Sequence, residues 1–95
     1  MILSNVKKPK ASNPWYVYIL QCKDGTYYTG CTTDIERRIA QHYAGTGAKY
    51  CRGRGPFTLE WSMMLSCRSN ACKLESLIKR MTREQKQCLI EKGTF

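Results

Sequence analysis

Residues 15–31 constrain the fold of this chain more than any other stretch. Trp15-Tyr16-Val17-Tyr18-Ile19-Leu20-Gln21-Cys22 is aromatic and β-branched. Such side chains suit a pleated, half-buried surface, so a strand is expected here. Lys23-Asp24-Gly25 follows, and an Asp-Gly pair tolerates the positive φ that tight hairpin turns need. Thr26-Tyr27-Tyr28-Thr29-Gly30-Cys31 then reads as the returning strand. Side chains alternate between faces, so Tyr16, Tyr18 and Leu20 share one side of the first strand. Thr26, Tyr28 and Gly30 share one side of the second, where Gly30 relieves a crowded strand end.

The remaining elements follow from periodicity and punctuation. A helix is expected from Thr33 to Tyr43, opened by a Thr33/Glu36 capping box and buried along Ile35, Ile39 and Tyr43. Arg38 and His42 lie four apart on a neighbouring face. Gly45-Thr46-Gly47 ends the helix, and a basic, Gly-rich loop runs over 48–56. Phe57 to Leu65 reads as a third strand. Ser69 is expected to cap a second helix with a core stripe of Leu74, Leu77, Ile78 and Met81. Thr82 and Gln85 open a last helix through Ile90. The expected class is α+β: a three-stranded antiparallel sheet flanked by helices in the order β-β-α-β-α-α. Residues 1–13 read as a flexible basic arm and residues 14–95 as a single domain.

Charge speaks to partners. Sixteen Lys and Arg against seven Asp and Glu give a formal net charge of +9 over 95 residues. A domain with this excess is expected to attract a polyanion, nucleic acid first and an anionic membrane surface second. No stretch is apolar and long enough to span a bilayer. Met1-Ile2-Leu3 gives way to Ser4-Asn5-Val6-Lys7 with no apolar h-region or cleavage site, so a cytoplasmic location is expected. Cys22, Cys31, Cys51, Cys67, Cys72 and Cys88 contain no C-x-x-C pair, and His42 is the only histidine. Free thiols, several of them buried, are expected rather than a zinc site or a disulfide framework.

The sequence resembles the GIY-YIG nuclease superfamily, in its small single-domain UPF0213 (YhbQ-like) branch. The resemblance rests on Trp15 through Leu20, on Tyr28-Thr29-Gly30, on Thr32 through His42, on Arg52-Gly53-Arg54-Gly55-Pro56, and on Leu74 through Arg80. It covers nearly everything after the N-terminal arm. It implies that Tyr18 and Tyr28 are the tyrosines of the two half-motifs, that Arg38 is the family arginine, and that His42 stands at the His-or-Tyr position. It implies that Glu75 binds one divalent ion, Mg²⁺ or Mn²⁺. Tyr16 replaces the first Gly, Val17 the following residue, and Thr29 the middle Ile. Cys31 stands where many members carry Lys or a small polar residue, so a cation expected there is missing.

These residue types fit phosphodiester hydrolysis, which needs an activated water and neutralisation of phosphate charge. A carboxylate such as Glu75 suits a hard cation that keeps several waters. Arg38 offers a planar fork matched to phosphate oxygens. A tyrosine titrates near about 10, and the neighbouring Arg38 would favour its phenolate. Tyr18 is expected to position or deprotonate the water, Tyr28 to orient phosphate or nucleophile, and His42 to relay the proton or act as base. Lys49, Tyr50, Arg52 and Arg54 interleave basic side chains with an aromatic, as a phosphate track with a stacking platform would. Lys73, Lys79, Arg80, Arg83 and Lys86 extend it. The expected function is metal-dependent hydrolysis of nucleic acid, DNA rather than RNA, in repair or processing, with any specificity supplied by a protein partner. The alternative is a catalytically silent nucleic-acid-binding module on the same scaffold. A third reading, with less in its favour, is an adaptor that recruits proteins through the Trp61–Leu65 surface.

Overall fold

A computed structural model describes residues 14–47 and 49–94, with Tyr50 placed by its backbone alone. The arm expected over residues 1–13 lies outside the described residues. The elements are β1 (Trp15–Gln21), β2 (Tyr27–Thr32), α1 (Ile35–Ala44), a single 3₁₀ turn (Lys49–Cys51), β3 (Thr58–Leu65), α2 (Arg68–Lys79) and α3 (Arg83–Lys92). The sheet is antiparallel with the order β2-β1-β3. The expected class and element order are those observed.

β1 is the central strand and is covered on both faces, which is why its sequence is apolar without alternation. Val17 and Ile19 face one way, into a core with Trp61, Ala71, Ile78 and Leu89. Tyr18 and Leu20 face the other way, with Cys22, Cys51 and Phe57, and with Tyr28, Ile35 and Ile39 packed against them. Helices α2 and α3 therefore cover the first face and α1 the second.

The hairpin closes through a three-residue loop. Cys22 N–H donates to Thr26 O at 2.8 Å, and Gly25 takes the left-handed conformation at φ 86°. Asp24 Oδ1 accepts from the Thr26 amide at 3.1 Å and its hydroxyl at 2.7 Å. The short side chain of Asp24 thus fixes the turn that sets the register, in which Tyr18 faces Gly30 and Leu20 faces Tyr28.

Several local expectations are corrected. Asp34, not Thr33, caps α1, accepting from Arg37 N–H at 3.1 Å. Tyr43, expected in the buried stripe, is 55% exposed, and His42 is buried instead. The stripe runs Ile35, Ile39, His42, because seven residues complete about two turns and an eighth begins to rotate away. Tyr43 lies on the rim, where its hydroxyl donates to Phe57 O at 3.2 Å and accepts from Phe57 N–H at 2.9 Å. On α2, Cys67 and not Ser69 is the N-cap, with no side-chain capping bond. Ala71 and Ile78 are buried, with Leu74 and Met81 against them, while Leu77 stands 51% exposed. Thr82 and Gln85 do form the expected capping box, and α3 continues past Ile90 to Lys92 before Gly93 caps it. Trp61, read above as part of an outer surface, is a core residue whose indole N–H donates to Gly93 O at 3.3 Å. All six cysteines are free thiols, of which Cys22 and Cys51 are buried.

Candidate active site

Tyr18 and His42 form the floor of the candidate site. The Tyr18 hydroxyl and His42 Nε2 share a buried hydrogen bond of 3.1 Å between β1 and α1, 24 residues apart in sequence. Tyr28 stands on the neighbouring strand, its ring centroid 6.3 Å from Tyr18 and 5.4 Å from His42, edge-on to the imidazole. Gly30 makes the tyrosine arrangement possible. A Cβ at this position would lie 2.6 Å from Tyr18 Oη and 3.0 Å from Tyr28 Cε2. What reads in sequence as relief at a strand end is the space into which Tyr18 reaches across the strand pair. Gly47 backs His42 in the same way, since a Cβ there would run into Nδ1.

Arg38 lies one helical turn before His42 and is half-buried, with its Nη1 donating to Gln41 Oε1 at 3.0 Å. Its charge reaches the whole group. Burial pushes the Tyr18 hydroxyl well above the ordinary tyrosine value, Tyr28 adds to that rise, and Arg38 offsets only part of it. Burial likewise raises Tyr28 against the pull of Lys79 and Arg38. Arg38 thus pulls both tyrosines toward the phenolate as expected, but desolvation of a buried anion outweighs that pull. Burial, and then the Arg38 charge, holds His42 below the usual histidine value, so its imidazole is neutral near pH 7.

Glu75 approaches from the other side of the sheet. It projects from α2 beside the edge strand β2, where Cys31 Sγ–H donates to its Oε1 at 3.1 Å. Lys79, one turn further along α2, places Nζ 3.0 Å from Oε2. Burial and the Glu75 carboxylate push the Cys31 thiol up to about 12, so it stays a neutral donor. Glu75 and Lys79 both act electrostatically on Tyr28, as does Arg38. Tyr28 thus links the Tyr18–His42–Arg38 group on one face to Glu75 and Lys79 around the edge of β2. Lys79 was read from sequence as one more basic helix position. Its ammonium in fact enters the neighbourhood left without a cation by Cys31, and its (i, i+4) spacing from Glu75 was the available signal.

The basic loop packs against this group through Cys51, which is buried beside Tyr18, while its cationic side chains lie toward the surface and the hairpin turn. Lys49 and Arg52 are exposed, and the side chain of Tyr50 lies outside the described residues. Arg54 Nη1 contacts Asp24 Oδ2 at 2.6 Å, and Lys23 N–H donates to Arg54 O at 2.8 Å. These contacts pin the loop to the hairpin turn.

Glu75 bears on the divalent ion that the resemblance implies. Among the described residues, no group of three or more His, Cys, Asp and Glu gathers to hold an ion. Glu75 is the carboxylate at this place, and a cationic ammonium already sits on one of its oxygens. That chemistry fits a hard cation that exchanges with Lys79 and keeps most of its own waters, not a tightly caged resident metal.

Comparison with known proteins places the chain in a wider group. The profile of the GIY-YIG catalytic domain matches residues 14–87. A UPF0213 protein of Halobacterium salinarum is 51% identical over 74 residues, covering 78% of this chain and 96% of its own length. The UPF0213 protein YhbQ of Escherichia coli is 45% identical over 84% of this chain and 80% of its own. The solution structure of a UPF0213 protein from Bacillus halodurans superposes with a TM-score of 0.56 at 48% identity, over 84% of this chain and 86% of that one. A protein from E. faecalis superposes with a TM-score of 0.60 at 39% identity, over 85% and 88%.

Proposed function

Since this chain belongs to the GIY-YIG catalytic-domain family, we propose that it is a divalent-metal-dependent nuclease that hydrolyses phosphodiester bonds in DNA. One observation supports this most: the Tyr18–His42 hydrogen bond lies in a single electrostatic neighbourhood with Arg38 and Tyr28, and Tyr28 in turn with Glu75. Glu75 would hold the ion, which when bound supplies charge neutralisation at the phosphate and a more acidic water. Arg38 and Tyr28, both half-buried, would meet the phosphate. Arg38 neutralises its charge with a fork of donors, and Tyr28 orients it with its hydroxyl.

Tyr18 and His42 work beneath them. Tyr18 stays protonated and His42 neutral at physiological pH. The arrangement that satisfies both has Tyr18 O–H donating to His42 Nε2. A proton taken from water by the Tyr18 oxygen can then pass to the imidazole without a free phenolate forming. DNA repair or processing, a cytoplasmic location and a partner that supplies specificity belong to the same reading. Lys49, Arg52 and the pinned Arg54 would steer the strand toward the site, with Tyr50 as the stacking platform.

A silent nucleic-acid-binding module is the second reading, and one feature favours it. Tyr18 is fully buried, and both Glu75 oxygens already bond to Cys31 and Lys79. Incubation with single-stranded, duplex and branched DNA and with RNA, in Mg²⁺ or Mn²⁺, separates the two. The nuclease reading expects cleavage that Glu75→Ala and Arg38→Ala each abolish. Binding without cleavage in every condition would establish the silent module, and cleavage that survives both substitutions would reject this site.

A further inference from the structure

Beside the edge strand β2, Tyr27, Tyr28, Thr29, Lys79 and Lys86 line a pocket of about 260 Å³. Its two cations come from different helices, Lys79 from α2 and Lys86 from α3. Lys86 is half-buried, and burial together with the Lys79 charge holds its ammonium below the ordinary lysine value. Two like charges that converge on one partly desolvated pocket repel each other, and an anion between them removes that repulsion. Lys79 spends one of its three donors on Glu75, at 3.0 Å.

The pocket wall contains an independent feature. The Thr29 hydroxyl is buried and has no hydrogen-bond partner among the described residues. Buried hydroxyls are nearly always satisfied, so an orphan in a wall shared with two lysines marks this pocket as short of an acceptor. Arg83, also nearby, is otherwise engaged: it stacks 4.7 Å over the Tyr27 ring and donates to Gly25 O at 2.8 Å. The shared wall is Tyr28, which faces both this pocket and the Tyr18–His42 group.

We propose that Lys79 and Lys86, with Thr29 in the wall, form a phosphate-binding subsite that takes the backbone phosphate next to the one held at Tyr28 and Arg38. The anion chemistry of the pocket stands on its own residues, whereas its assignment to a flanking backbone phosphate rests on the nuclease reading. The subsite lengthens the nucleic-acid path around the edge of β2, on the side away from the loop that carries Arg52.

The test is binding to the ¹⁵N-labelled full chain, without divalent ions, of inorganic phosphate and of a short single-stranded DNA. Both should shift the amides of Tyr27, Tyr28, Thr29 and Lys86 to saturation. Lys86→Gln should abolish the phosphate-induced shifts, weaken DNA binding, and lower the slope of log affinity against log salt by about one. Lys86→Arg, which keeps the charge, should restore both. Shifts with phosphate but not with DNA at these amides would overturn the backbone-phosphate assignment. Unchanged affinity and slope in Lys86→Gln would overturn the subsite altogether. Because the readout is binding without a metal, a wild-type protein that cleaves nothing would reject the nuclease reading and leave this result intact.

Discussion

The Tyr18 hydroxyl and His42 Nε2 meet at 3.1 Å in the buried interface between the central strand and the first helix. The pair is a packing contact and, on the nuclease reading, a proton path, so its removal should register in stability as well as in chemistry. His42→Ala leaves the Tyr18 hydroxyl buried without this partner, at a cost of about 1–3 kcal/mol before any cavity is counted. Urea unfolding measures that loss. A variant as stable as the wild type would mean that the pair carries no energy.

The same residue sets a pH dependence. The folded protein holds His42 below 6.5, through burial and then Arg38. In the unfolded chain the imidazole takes its proton near 6.5. Above that value both states are neutral and the contribution to stability is complete. As pH falls from about 6.5 toward the lower folded value, the unfolded state binds the extra proton and stability is lost. His42 is the only histidine in the chain, so this limb of the curve should flatten in His42→Ala. Unfolding midpoints across about pH 5 to 8 check this. An identical slope in wild type and variant would contradict it.

Gly30→Ala tests the space between the tyrosines. Its Cβ would stand 2.6 Å from Tyr18 Oη and 2.8 Å from Cζ, on a ring locked on both sides. Overpacking of this kind costs about 1–3 kcal/mol. It should also displace Tyr18 from His42 and reduce cleavage more than the stability loss explains. Melting temperature and initial cleavage rate, measured together, distinguish the two effects.

Leu77→Ala and Ile78→Ala form a contrasting pair. Neighbours on α2 with similar side chains, they differ in burial, 51% exposed against fully buried. Ile78→Ala should destabilise the fold by about 2–5 kcal/mol through transfer and cavity terms. Leu77→Ala should stay within about 0.5 kcal/mol of wild type. Equal losses in chemical denaturation would mean that α2 is rotated from the position described.

Arg52 carries the prediction for the basic loop. It is exposed, while Arg54 is tied to Asp24 at 2.6 Å. Arg52→Gln should weaken DNA binding with little sequence preference and reduce the salt slope by about one. Fluorescence anisotropy at several salt concentrations measures it. A flat salt response in the wild type would count against polyanion binding by this domain.

Local chemistry accounts for what was legible in the sequence. The aromatic, β-branched run to either side of Asp24-Gly25 determined the hairpin, since turn geometry and side-chain alternation act over a few residues. The Thr82–Gln85 capping box was readable for the same reason. The motif also named Tyr18, Tyr28, Arg38, His42 and Glu75, but as positions rather than as a charge distribution. Only the tertiary structure decided that His42 is buried and Tyr43 exposed, because a rotation of less than one residue about the helix axis exchanges them. Only it showed that burial overrides Arg38 and keeps both tyrosines protonated, since desolvation depends on what surrounds a group from every side. And only it brought Glu75 and Lys79 around the edge of β2 to face Tyr28, on the far side of the sheet from the tyrosine–histidine pair. That juxtaposition depends on where α2 docks against the sheet, which no local pattern encodes.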